Sequence, residues 1–368
     1  MLDALIRFIP IAEKIVPRRS SIKVLENICI ADGKIMATDL EMTVMMPIAE
    51  KRSFLIPLGI AKTVLKSRPK SVNVREDANG KLRVTYDDKA VIFPMQDPAD
   101  YPKSPIGDFT LVGTWTADVI NKLYSQVPFC SADELRPALC GVFVSQNGVI
   151  SSCATDGHVL RLIKNIDEAG ACDLVNKFTG IIPKKVLQLL PRFVDESVSV
   201  SESEDSLRFS LSHNVELIVH RIDGTFPNYE RVIPSEFRGS IQVDKEKLNR
   251  LMASARDFSD KETRKSVFRV VGKNLVIAVE NLDDETRWES KLPVETMSGK
   301  KLEMGLNLDC LERILKGIET PKTSWKYNDS DSAALFIEVN GKENDNLINL
   351  IMPIRLPKED ENGEHNNQ

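Results

Sequence analysis

Apolar and polar residues along this chain alternate in two periods, and the switches between those periods recur in the same order three times. The first pass opens with a helical period over 2–16. It continues with strand-period runs at 25–30, 34–37, 43–49 and 53–56. Pro57 then opens a helix over 58–67, as proline does at a first helical turn. Leu58, Ala61, Val64 and Leu65 form one stripe of it. Strands at 72–76, 81–86 and 90–95 close the pass, the first two joined at Asn79-Gly80.

The second pass predicts a strand at 109–113, a helix at 116–126, and strands at 141–145 and 149–154 around Gln146-Asn147-Gly148. Strands at 160–164 and 177–182 follow, then a helix over 183–193 and strands at 197–202, 206–211 and 215–222. The third predicts a strand at 239–243, a helix at 245–256 and strands at 267–271, 275–279 and 286–292. A helix at 308–318 and strands at 323–327, 334–339 and 347–353 complete it. The first pass starts directly in its helix, without the strand that leads the other two. The expected fold is therefore α+β, with three repeated domains at 1–108, 109–237 and 238–356, each placing two helices on antiparallel sheets. Residues 357–368 read as a polar, disordered tail.

A small polar turn marks the same place in the first two passes: Thr38-Asp39-Leu40-Glu41-Met42 and Ala154-Thr155-Asp156-Gly157-His158. Asp156 beside His158 suggests acid–base or metal chemistry. A metal would want further ligands, and the other histidines are His213, His220 and His365. Phosphate-loop, HExxH and GxSxG patterns are absent from the sequence. The echo at Asp39, which no histidine follows, points to an aspartate that builds a turn. The expectation is a non-enzyme with no catalytic residues, no metal and no cofactor. Six scattered cysteines without a CxxC pair fit a reducing compartment. The chain has no apolar run of membrane-spanning length and no leader-like start, so a cytoplasmic location is expected.

Charge changes the picture. The 368 residues carry a net charge of −5, yet cations gather on predicted helices. Lys62, Lys66, Arg68 and Lys70 stand without an acid between them, as do Lys184, Lys185 and Arg192. A basic lining on an acidic body attracts a nucleic-acid backbone, although charge runs also decorate ordinary solvated faces.

The wording and order of Thr38-Asp39-Leu40-Glu41-Met42, Ala154-Thr155-Asp156-Gly157-His158, the run 223–234 beginning Asp223-Gly224-Thr225-Phe226-Pro227, and Met352-Pro353-Ile354-Arg355-Leu356 resemble the bacterial DNA polymerase III beta subunit, the sliding clamp. The resemblance covers residues 2–356. It implies a head-to-tail homodimeric ring around double-stranded DNA, held without sequence preference and associated with the nucleoid. It also implies a processivity role, with the DNA polymerase III alpha subunit, clamp-loader subunits and other proteins bearing clamp-binding motifs as partners. Carried over by position, a peptide groove comprises Arg136, Leu139, Thr155, Gly157, His158, Val159, Leu160, Pro227, Arg231, Val232, Met352, Pro353, Ile354, Arg355 and Leu356. DNA contacts fall on Arg18, Arg19, Lys66, Arg68, Lys184, Lys185, Arg192, Lys247 and Arg250, and Phe258 resembles an apolar anchor of the dimer interface. Val159 stands where clamps often have arginine, Ile354 replaces a methionine, and the chain continues past Arg355-Leu356. These departures keep a second reading open: a divergent phage, plasmid or duplicate clamp that serves as an interaction scaffold with altered partners.

Overall fold

The computed structural model describes residues 1–103 and 107–356; the expected tail, 357–368, lies outside them. The chain divides into two compact units. One gathers residues 1–124, 144–150 and 167–224, the other 125–143, 151–166 and 225 onward.

In the first unit the helices are α1 (Leu2–Ile15), α2 (Leu58–Lys66), α3 (Ala117–Tyr124) and α4 (Lys184–Leu187). Helix α1 buries Leu5, Phe8, Ile9, Ala12 and Ile15, the three-and-four spacing of one helical face. The helix expected over 183–193 is shorter: α4 stops at Leu187 and a 3-10 turn, Leu190–Arg192, follows. Pro191 is the reason, since it has no N–H for the Leu187 carbonyl and its ring clashes with that group.

A nine-stranded sheet runs in the order Asp173–Leu174, Thr110–Thr116, Ser197–Glu202, Ser206–Leu211, Val215–His220, Met42–Pro47, Lys34–Thr38, Asn27–Ala31 and Phe54–Pro57. Its seam matters most. Val215–His220, closing the expected second repeat, pairs antiparallel with Met42–Pro47 of the expected first, Leu217 opposite Val44. This pairing joins residues of two expected repeats into one unit. A separate sheet of Val72–Glu76, Lys81–Tyr86 and Lys89–Pro94 has Lys89–Pro94 at one edge.

The second unit repeats that seam. Its adjacent strands run Ile150–Thr155, Val159–Ile163, Leu347–Ile351, Ala334–Asn340, Lys322–Tyr327, Gly239–Asp244 and Thr296–Gly299. Leu347–Ile351, the last strand, lies antiparallel on Val159–Ile163 with Leu160 opposite Leu350. A second sheet orders Thr286–Pro293, Asn274–Asn281, Lys265–Val271 and Glu303–Asn307, with Thr286–Pro293 at its edge. Helices α5 (Lys245–Phe258) and α6 (Leu308–Lys316) begin at Asp244 and Asn307, whose side chains accept from the third amide onward. Trp325 packs in the core between Phe268 and Phe336, ring centroids 5.3 and 4.7 Å away.

Candidate functional site

The site starts from one turn. Strands Ile150–Thr155 and Val159–Ile163 pair with Thr155 opposite Leu160, leaving Asp156, Gly157 and His158 to reverse the chain. Asp156 Oδ1 accepts from the amides of His158 (2.8 Å) and Val159 (3.0 Å). Thr155 Oγ1 donates to the Val159 carbonyl at 2.6 Å and accepts from the Gly157 amide. Gly157 has φ +96°, where a side chain is strained. The first unit holds the same device: Asp39 Oδ1 accepts from Glu41 and Met42, and Thr38 Oγ1 donates to the Met42 carbonyl. Asp156 is thus a turn-building aspartate. Among the described residues no group of three or more His, Cys, Asp or Glu is placed to hold a metal ion.

The second oxygen of each aspartate reaches a helix. Asp156 Oδ2 pairs with Arg313 of α6 at 2.7 Å, and Asp39 Oδ2 pairs with Lys185 of α4. Burial opposes the Asp156 charge. The Val159 and His158 amides and the Arg313 guanidinium outweigh it and hold the carboxyl below the usual aspartate value.

Around this turn the second unit brings together several of the residues expected to line a groove. The Met352 amide donates to the His158 carbonyl at 2.8 Å, and the Ile354 amide to the Gly305 carbonyl at 2.8 Å. The end segment Met352–Leu356 is therefore pinned between the turn and strand Glu303–Asn307. Gly305 makes this possible: a Cβ there would stand 2.5 Å from the Ile354 carbonyl oxygen and 2.8 Å from the Leu356 side chain. On the other side of the turn, Arg136 Nη1 comes within 3.4 Å of where a Gly157 Cβ would be. Asp133 fixes Arg136 through its Nε (2.9 Å), and the Ser131 amide donates to the Leu139 carbonyl. Pro227, Arg231 and Val232 follow Phe226, which stacks on Phe143 at 5.0 Å, and flank Tyr229, whose ring lies 6.1 Å from Phe143.

Val232 and Met352 are open to solvent, 49% and 40% exposed. Leu139, Thr155 and Leu160 show only slivers of surface, as a groove floor does. Val159 is different. It is fully buried in a strand whose five residues are all buried, so it presents no side chain to a groove occupant. This corrects its inclusion among the groove residues.

A family model described as DNA polymerase III beta subunit, C-terminal domain, matches residues 230–355. The beta sliding clamp of Pseudomonas aeruginosa is 25% identical over 370 residues, covering 96% of this chain and 98% of that protein. The one from Caulobacter vibrioides is 24% identical over 379 residues, with the same shares covered. The crystal structure of the DNA polymerase sliding clamp from Bacillus subtilis matches with a TM-score of 0.84 at 19% identity, covering 96% of this chain and 98% of that one. Over nearly its whole length this chain is similar to beta sliding clamps.

The candidate DNA-contacting cations differ in how free they are. Arg18 and Arg19, after α1, are exposed, as are Lys66 and Arg68 at the end of α2 and Arg192 after α4. Lys184 is half-buried. Lys185 is engaged by Asp39 and, at 2.8 Å, by Glu41, so part of its charge serves the fold. On α5, Lys247 and Arg250 are exposed and reach back to Asp244 (3.9 Å) and Glu246 (3.3 Å), exposed pairs that a phosphate can compete for. Phe258 ends α5 with 45% of its surface exposed. Sequence reasoning missed Arg313, because its partner Asp156 is remote in the chain and no local pattern marks the pair. No helix of the described residues is long and apolar enough to cross a membrane.

Proposed function

We propose that two copies of this chain close head to tail around duplex DNA and tether partner proteins through the groove beside the Asp156 turn. The seam carries this reading. Twice in one chain, the closing strand of a repeat lies against the strand after the polar turn of the preceding repeat: Val215–His220 on Met42–Pro47, and Leu347–Ile351 on Val159–Ile163. One closing strand, Lys89–Pro94, and one receiving strand, Thr286–Pro293, remain at sheet edges. A second copy supplies the missing partner to each, and two identical contacts then close the assembly. Exposed Ile92 on the first strand and Phe258 on α5 offer apolar surface for that contact. The three repeats at 1–108, 109–237 and 238–356 are the units this arrangement joins.

The groove takes a short segment with apolar or aromatic side chains against Leu139, Leu160, Val232 and Met352, with His158, Arg136 and Arg231 at its polar rim. Most of the affinity of such small interfaces comes from a few central anchors. DNA polymerase III alpha and clamp-loader subunits are the partners the resemblance to beta sliding clamps suggests. DNA is held by its phosphates, through cations such as Arg18, Arg19, Lys66, Arg68 and Arg192, with little sequence preference. The chemistry needed is tethering, which requires no catalytic group.

The test is topological. The protein is incubated with a clamp loader and nicked circular DNA, and the circle is then cut. A ring stays on the closed circle through high-salt washing and is lost when the DNA is linear. A protein that remains bound to linear DNA with free ends, or never resists salt on the circle, is not encircling it.

A further inference from the structure

Two arginines that were not among the expected groove residues hang its parts on one helix. Arg313, on α6, donates from Nη1 to Asp156 Oδ2 at 2.7 Å and to the Pro128 carbonyl at 3.2 Å, and from Nη2 to Cys310 Sγ at 3.2 Å. Asp156 builds the turn that carries Gly157 and His158. Pro128 lies in the 3-10 turn Val127–Phe129, which leads into the loop carrying Arg136 and Leu139. One guanidinium therefore holds both walls of the groove to the same helix.

Arg161 repeats the tie one turn further on, at the C-terminus of α6. From strand Val159–Ile163 its Nη2 donates to the Gly317 carbonyl at 2.9 Å, at the helix C-terminus, and its guanidinium lies 5.4 Å from the Phe129 ring. The site is tight: a Cβ on Gly317 would collide with Arg161 Nη1. It is also costly. Arg161 is 5% exposed, and its Nε and Nη1 have no hydrogen-bond partner among the described residues. Burial pushes the Arg161 guanidinium below its ordinary value, and the fields of Glu338 and Glu319 oppose that shift, beside the Gly317 carbonyl at the negative end of the helix and the Phe129 ring. A structural filler at this point needs no charge, whereas a pin between Phe129 and the α6 terminus does.

We propose that Arg313 and Arg161 are positioning residues of the peptide groove, and that α6 sets the spacing between its turn wall and its loop wall. This inference rests on the groove reading above. It predicts that groove affinity follows the Arg313 tie rather than overall stability.

The full chain is compared with Arg313→Met, Arg313→Lys and Lys326→Met. The last removes an ion pair of similar exposure in the same unit, Lys326–Glu343 at 2.5 Å. Two readouts are taken: titration with a short labelled peptide bearing leucine and phenylalanine side chains, and hydrogen exchange at the His158 and Val159 amides, which Asp156 caps. Arg313→Met is expected to weaken the peptide about tenfold, the scale of a coupling carried through packed side chains, and to speed exchange at both amides. Arg313→Lys keeps the charge but not the fork, and should fall between. Lys326→Met should lower the melting temperature and move neither readout. Unchanged exchange in Arg313→Met, or equal weakening by Lys326→Met, overturns the proposal. A parent protein that binds no such peptide counts against the groove reading, and the exchange rates then still decide whether Arg313 holds the turn.

Discussion

Gly305 and Asp156 show how single residues shape the site. Gly305→Ala forces a Cβ against the backbone of Ile354, and backbone does not yield as a flexible side chain does. We expect a stability loss of about 1–3 kcal/mol and faster hydrogen exchange at the Met352 and Ile354 amides; an unchanged melt and exchange pattern would refute the pinning of the end segment. Asp156 carries a pH signature. Its folded-state pKa lies below the unfolded one, so its contribution is present above the ordinary aspartate pKa of about 3.9. The contribution is lost as pH falls through the lowered folded value. Asp156→Asn should therefore flatten the acid limb of a stability-versus-pH curve while leaving its shape near neutrality. The turn itself was legible in the sequence, since Thr-Asp-Gly is local chemistry. The partner was not: Arg313 meets Asp156 only once the chain has folded.

At the scale of elements, strand Val159–Ile163 is the test of what a groove floor tolerates. Position 159 is expected among the groove residues from the sequence, yet its side chain is wholly buried. Val159→Arg would place a charge in that interior, and we expect a loss of about 3 kcal/mol or more by thermal melting rather than a gain in affinity for acidic peptides. Leu160 is nearly as buried, so Leu160→Asp would unfold the strand before it reported on the groove; Met352→Ala is the cleaner probe. Most elements followed from apolar periodicity alone, with ends displaced by a residue or two. Two of the exceptions have physical causes. Pro191 cut the expected helix at 183–193 short. Strand Thr296–Gly299 escaped notice because all four residues are exposed and no alternation marks them; only its ladder to Gly239–Asp244 makes it a strand.

At the scale of the whole molecule, the account depends on two free edges finding each other in a second copy. Light scattering should give twice the 41.2 kDa mass of one chain. Ile92→Lys, at an exposed position of the Lys89–Pro94 edge, should shift that mass toward the monomer without lowering the melting temperature much. A charge on an edge strand is how sheets avoid pairing. The sequence restates the same periodicities three times, which is why three repeats are expected of it. Which strands lie at the seams was not legible there, because strand pairing across remote segments leaves no local trace. The most direct measurement remains the trapping of the protein on circular DNA by a clamp loader. The account predicts retention on the closed circle in high salt and release once the circle is cut. Equal retention on circular and linear DNA, or none on either, would contradict it.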